Sequence, residues 1–198
     1  MGHGLGTAPS VILVKERTSG SVENWEGFFS AIGPTKTLSL NKNAAEQTSS
    51  TRWNDTSPTS SVFSIGTATA VNDSSGQYVA YCFAEIEGYS KFGSYEGNGS
   101  ADGTFVHTGF KPAFLLIKNI DASESWNLRD SARDPFNVTK QILHSNSNAA
   151  ESTSGGGQFI DLLSNGFKCR GSAPGINSSA TFIYMAFAET PFKTSTAR

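Results

Sequence analysis

The chain has 198 residues, of which 16% are charged, and a formal net charge of −2 at neutral pH. That balance leaves no basic surface able to displace counterions from a nucleic-acid backbone, so nucleic acid is not an expected partner. No apolar run approaches the roughly 20 residues a membrane-crossing helix needs, and Met1 to Gly6 lacks the basic flank and apolar stretch of a secretion signal, so membrane insertion is not expected either.

Twenty Gly, 14 Phe and abundant Ser, Thr and Asn, with no long run at helical spacing, describe a chain of strands and turns. Gly6-Thr7-Ala8-Pro9 opens onto Ser10 to Lys15, an apolar run bounded by turn signals and hence a buried strand. A polar turn, Thr18-Ser19-Gly20-Ser21, leads to Trp25, where the second strand of a hairpin-like pair should start. A short strand at Thr37-Leu38-Ser39-Leu40 runs into Asn43-Ala44-Ala45-Glu46, and a hydroxyl-rich loop through Thr48 to Thr51 follows. Val62 to Gly66 reads as another strand, Asn72-Asp73-Ser74-Ser75-Gly76 as a turn, and Tyr78 to Glu85 as a strand buried on both faces. Between Gly88 and His107 the aromatic residues Tyr89, Phe92, Tyr95 and Phe105 would be wasted on a solvated tether, so two more strands are expected there.

From Gly109 the same order returns. Ala113-Phe114-Leu115-Leu116-Ile117-Lys118 repeats the first strand, Asp121 to Glu124 the turn before a tryptophan, now Trp126, and Gln141-Ile142-Leu143-His144 the strand before a second Asn-Ala-Ala-Glu at Asn148 to Glu151. After the loop Ser152 to Gly157, Asn165-Gly166 predicts a tight turn between Phe159 to Leu163 and Phe167 to Gly171. Phe182 to Glu189 closes the copy with the same Phe-Ala-Glu ending as Phe83-Ala84-Glu85. The expected fold is all-β: two β-sandwich-like units from an internal duplication, residues 1–97 and 98–198, with the intervening strands serving both. One sandwich with pseudo-twofold symmetry is the alternative. The first unit reads as trimmed at its N-terminus: His3 mirrors His107, but nothing stands ahead of it where the second unit has Phe92 to Val106. The strand edge left by that gap should be met by another subunit or an upstream domain, with an interface near His3 to Pro9.

Little in the chain suggests chemistry. Glu85 and Glu189 end equivalent strands and invite comparison with the acid pair of glycosidases, but a residue kept at one place in both repeats is better read as doing one structural job twice. His3, His107 and His144 lack metal-ligand spacing, and no nucleophile elbow or phosphate loop is present, so no catalytic residue, metal or cofactor is expected and the chain is not read as an enzyme. Cys82 and Cys169 are unmatched between repeats, since Ala186 answers to Cys82. They read as free core thiols of a protein made in a reducing cell. Trp25 and Trp126, matched between copies, should pack in the core. Trp53, flanked by Arg52, Asn54 and Asp55, reads either as a tryptophan pinning a long loop or as the candidate saccharide platform, a flat face with directional hydrogen-bonding groups beside it.

The sequence resembles a family of bacteriophage structural proteins common in marine phage genomes, whose C-terminal regions carry two such repeats. The residues that carry the resemblance span nearly the whole chain: His3 to Gly6 with Pro9 and Lys15, Trp53 to Phe63, Tyr78 to Glu85, Gly88 to Tyr95, Gly109-Phe110 with Pro112-Ala113 and Ile117-Lys118, Leu162 to Lys168, and Ala186 to Glu189 with Pro191-Phe192-Lys193 and Ala197-Arg198. The resemblance implies a virion component made in the host cytoplasm, a tail-fibre or other surface-exposed adhesion and assembly module. Its expected partners are other virion proteins and a host surface glycan, in a homo-oligomer that is a trimer by analogy with fibres. A capsid decoration protein and a polysaccharide depolymerase domain are the alternatives.

Overall fold

A computed structural model describes residues 1–18 and 23–190. Ser19, Gly20 and Ser21 of the first polar turn, and the terminal Pro191-Phe192-Lys193 and Ala197-Arg198, lie outside the described residues. The chain is all-β with antiparallel sheets, and it divides into two units, Met1–Ala84 and Glu85 onward.

The first unit contains β1 (Val11–Glu16), β2 (Glu26–Phe29), β3 (Lys36–Ser39), β4 (Gln47–Thr48), the short helical turns α1 (Ser50–Trp53) and α2 (Thr69–Asn72), and β5 (Tyr78–Phe83). Its sheet runs in the order β4-β3-β2-β1-β5. Four consecutive apolar residues, Val11 to Val14, suit β1 to the interior, and all four are buried. Ile12, Val14 and Phe28 project from one face onto Trp53, Phe63 and Val71, so the layer opposite the sheet is the irregular segment that carries α1 and α2.

The second unit contains β6 (Ser90–Glu96), β7 (Phe105–His107), β8 (Pro112–Asn119), β9 (Asn127–Asp130), β10 (Ile160–Leu163), β11 (Gly166–Cys169) and β12 (Thr181–Ala188). Here two sheets face each other, β6-β12-β8-β9 and β10-β11-β7, which is a β-sandwich. Leu115, Ile117, Phe182 and Tyr184 of the first meet Val106, Ile160, Leu162 and Phe167 of the second in one buried cluster.

In β1, β2 and β5 and their counterparts β8, β9 and β12 the duplication holds to the residue. Val11 pairs with Phe83, and Glu16 with Tyr78, in β1 and β5; Phe114 pairs with Phe187, and Asn119 with Phe182, in β8 and β12. Val11 stands opposite Phe29 and Val14 opposite Glu26, as Phe114 stands opposite Asp130 and Ile117 opposite Asn127. Small polar contacts are repeated too. The side-chain oxygen of Asn41 accepts the Trp25 N–H at 2.9 Å, and that of Asn146 accepts the Trp126 N–H at 2.9 Å. The Lys15 ammonium donates to the carbonyl of Glu16 at 2.7 Å, and the Lys118 ammonium to that of Asn119 at 2.5 Å.

Several expectations need correction. Gln141 to His144 is not a strand but makes isolated bridges at Ile142 and Leu143; Leu38 lies opposite Gly27, and Leu143 opposite Leu128, so Leu38 matches Leu143, one residue away from the expected pairing. This alignment agrees with the two Asn-Ala-Ala-Glu segments, whose glutamates pair with Lys36 and Arg133. Val62 to Gly66 is not a strand but makes one bridge, Gly2 to Val62, because the preceding Thr56 to Ser61 is hydroxyl-rich, contains Pro58 and supplies no counterpart of β10. The division falls at Ala84, not at residue 97, because Ser90–Glu96 pairs along β12 from Thr181–Glu96 to Phe187–Ser90. The intervening strands therefore do not serve both units: β7, like β6, pairs inside the second. The hairpin before β11 forms, but its turn is Ser164-Asn165, and Gly166 already pairs with Leu163. That glycine answers to close approach, since a Cβ there would lie 2.0 Å from the Val106 carbonyl oxygen.

Candidate functional site

Trp53 is not an exposed platform. It ends α1 with 1% of its surface accessible and packs edge-to-face on Phe28, ring centroids 5.9 Å apart. Arg52 turns to the buried carboxylate of Glu26 at 3.2 Å, which also accepts from the hydroxyls of Thr37 and Ser39. Asn54 and Asp55 are exposed and leave the helical turn at φ of 54° and 46°, a region those two residue types tolerate. The polar neighbourhood of Trp53 is therefore a helix exit and an ion pair, and the four residues do not converge on a ligand. Trp126 is buried as expected. Trp25 is only half-buried and stacks on Tyr81, ring centroids 6.1 Å apart, with Tyr81 itself 48% exposed.

Glu85 bonds the Lys91 ammonium at 2.7 Å and the Phe92 N–H at 3.2 Å, while Glu189 pairs with Lys111 at 3.0 Å. Each is a structural tie to a neighbouring strand, although through different lysines. Asp73 accepts both the N–H and the hydroxyl of Ser75, which makes the Asn72–Gly76 segment a turn and holds that carboxyl below its usual pKa. Among the described residues no three His, Cys, Asp or Glu side chains gather as a metal site. Cys82 and Cys169 are free thiols; burial pushes Cys169 up to about 11.

The feature that sets the units apart is the outer edge of β5. In the second unit the equivalent strand, β12, lies between β6 and β8; among the described residues of the first unit, β5 pairs with β1 alone. The Arg17 N–H reaches the Gln77 carbonyl at 2.7 Å, which fixes the alternation of this antiparallel ladder. Val79, Tyr81 and Phe83 then point their backbone groups at β1, and Tyr78, Ala80 and Cys82 point theirs outward. The counterparts Phe182, Tyr184 and Ala186 pair with Tyr95, Gly93 and Lys91 of β6. Both copies looked equally buried in sequence, yet only β12 is: Ala80 and Tyr81 are exposed where Tyr184 and Met185 are 5% and 4% exposed. Among the described residues an uncovered edge is present, and it lies at β5 rather than at His3 to Pro9. Met1 to His3 instead runs along Ser61 to Phe63, with Phe63 N–H to Met1 carbonyl at 2.9 Å, much as β7 runs along β11.

Beside this edge is a cavity of about 150 Å³ whose walls are mostly apolar, with Met1, Val14, Ile65, Val71, Tyr78 and Ala80, and include Asn72, Asp73 and Gly76 on one side. Tyr78 is held at its rim, its hydroxyl donating to the Thr69 carbonyl and accepting the Asp73 N–H at 2.7 Å. The edge supplies directional backbone donors and acceptors, and the cavity supplies apolar surface; together they suit an added strand.

Fold and edge define a class: an all-β protein of two units on one sheet plan, one with β6 beside its last strand and the other, among the described residues, open along β5. The chain belongs to the family described as a domain of unknown function (DUF7483), whose model matches residues 1–191. No curated protein and no solved structure matches it.

Proposed function

We propose that this protein is a structural component of a bacteriophage virion, a tail-fibre or other surface-exposed adhesion and assembly module. The observation that carries the reading is the uncovered edge of β5: a sheet that leaves a row of backbone groups unpaired is a joint for another polypeptide. The resemblance to phage structural proteins, the low charge and the all-β plan support it. In this reading the partners are other virion proteins and a host glycan, the chain works as a homo-oligomer, and it needs no cofactor.

Particles of a phage that encodes the chain, purified and quantified by mass spectrometry, provide the test. A few copies per tail, placed there by immunogold labelling, are expected. Many copies spread over the capsid would replace the fibre reading with decoration, and absence from the particle would overturn the virion reading. Cleavage of host polysaccharide by the purified chain, abolished by Glu85→Gln or Glu189→Gln, would favour a depolymerase.

A further inference from the structure

The chain contains both a filled and an unfilled version of the same strand junction, and comparing them shows what the unfilled one lacks. In the second unit β6 brings Gly93 opposite Tyr184. A Cβ at Gly93 would come within 3.2 Å of the Tyr184 ring, so the tyrosine lies across the glycine and fills the space over the neighbouring strand. Tyr95, two residues on, lies opposite Phe182 and stacks on it with ring centroids 5.0 Å apart. In the first unit Tyr184 is replaced by Ala80 and Phe182 by Tyr78, while Val14 stands where Ile117 stands. The cavity bounded by Val14, Tyr78 and Ala80 lies beside Ala80, the residue that stands at the register position of Tyr184. β5 thus carries no large member of this cross-strand pair, and a partner strand is the element that could supply one.

We propose that the outer edge of β5 receives an antiparallel strand from a different polypeptide, and that this strand carries an aromatic side chain opposite Ala80. This inference rests on reading the β5 edge as an assembly site and adds the chemistry of its occupant. A cavity of about 150 Å³ is of the size that admits a benzene ring. The incoming backbone pairs with the outward N–H and C=O groups of Tyr78, Ala80 and Cys82, as β6 pairs with Phe182, Tyr184 and Ala186. A second copy of this chain fits poorly. Edge-to-edge pairing of two β5 strands offers only Tyr78, Ala80 or Cys82 opposite Ala80. The first is tied through its hydroxyl to Thr69 and Asp73, and the other two are too small to fill the space.

The probes are two synthetic peptides added to the full chain: the sequence of residues 90–96, Ser-Lys-Phe-Gly-Ser-Tyr-Glu, and its Gly93→Phe form, with binding read by fluorescence anisotropy. The Phe form is expected to bind about tenfold tighter or better, the gain from seating one ring in apolar surroundings. Ala80→Tyr, which copies Tyr184 into the first unit, is expected to invert that preference. Ala80→Pro removes only an outward N–H, a change tolerated at a strand edge, and is expected to abolish binding of both peptides. Hydrogen exchange adds a readout by residue: the amides of Tyr78, Ala80 and Cys82 become protected when the Phe form binds. Equal affinity for the two peptides, no binding of either, or a preference unchanged by Ala80→Tyr would overturn the proposal. Protection of those amides that rises with protein concentration alone would also overturn it, by showing a second copy on the edge. A chain found in particles but without peptide preference leaves the virion reading standing and removes this one; the reverse pattern does the opposite.

Discussion

Replacing Trp53 separates a core residue from a ligand platform. Its indole is 1% exposed and packs with Phe28, Val71 and Phe63. Truncating a buried tryptophan to alanine costs about 3–5 kcal/mol, through lost burial and an incompletely collapsed cavity. The indole N–H is itself buried without a hydrogen-bond partner among the described residues. Trp53→Phe keeps an aromatic ring against Phe28 and removes that unsatisfied donor, whose burial costs about 1–3 kcal/mol, so it should lose much less stability than Trp53→Ala. Urea unfolding followed by circular dichroism, with hydrogen exchange assigning the transition to residues 1–84, provides the assay. The expected order is wild type, Trp53→Phe, then Trp53→Ala last by several kcal/mol. Trp53→Ala within about 0.5 kcal/mol of wild type, the range of ordinary surface substitutions, would refute the core assignment and restore the saccharide platform.

The matched asparagines give a paired prediction: Asn41→Ala and Asn146→Ala each strand a tryptophan N–H and should cost about 1–3 kcal/mol in their own unit, measured by the same unfolding assay. Burial holds the Lys118 ammonium at about 8, below its usual 10.5, so between those values the unfolded chain binds more protons and stability should rise with pH. Cys169, raised from 9 to about 11, works in the opposite sense above pH 9. The melting temperature of the second unit should therefore climb from pH 7.5 to 9, and Lys118→Met should flatten that climb; an unchanged climb in the variant would assign it to another group. Glu16 is 4% exposed with neither carboxylate oxygen bonded among the described residues, whereas its counterpart Asn119 accepts from the N–H groups of Asp121 and Ala122. Glu16→Asn should accordingly raise the melting temperature of the first unit, and a lowered one would show that the carboxylate has a partner in solution.

The duplication was legible because apolar runs and short motifs survive in both copies, and the equal registers of β1 with β5 and of β8 with β12 agree with the alignment of the copies; that these strands pair came from the structure. The cap on each tryptophan was also written in the sequence, in a frame wider than the tetrapeptide: Asn41-Lys42-Asn43-Ala44-Ala45-Glu46 and Asn146-Ser147-Asn148-Ala149-Ala150-Glu151. Ownership of Ser90–Glu96 was not legible, because an aromatic strand between two repeats has the same composition whichever sheet it joins. The inward turn of Trp53 was legible only as one of two readings, because its hydrophilic neighbours in the chain say nothing of Phe28 and Phe63 across the layer. Arg129 shows the same limit. It takes the place that Phe28 has in the first unit and is buried among neutral acceptors, bonding Asn127, Thr139 and the carbonyl of Gln158, all contacts set by folding. The open edge did leave a trace, since Ala80 for Tyr184 is the main loss of volume between two otherwise similar strands, but its meaning required seeing Gly93 opposite.

Amide hydrogen exchange on the isolated chain at low concentration tests the central claim, that one sheet plan is completed in the second unit and left open in the first. In β12 the amides of Phe182, Tyr184 and Ala186 should be protected by pairing with β6, as should those of the alternate residues paired with β8. In β5 the pattern should alternate, with Val79, Tyr81 and Phe83 slow and Tyr78, Ala80 and Cys82 fast. Slow exchange at all six β5 positions, matching β12, would mean that the edge is already covered and would contradict the account.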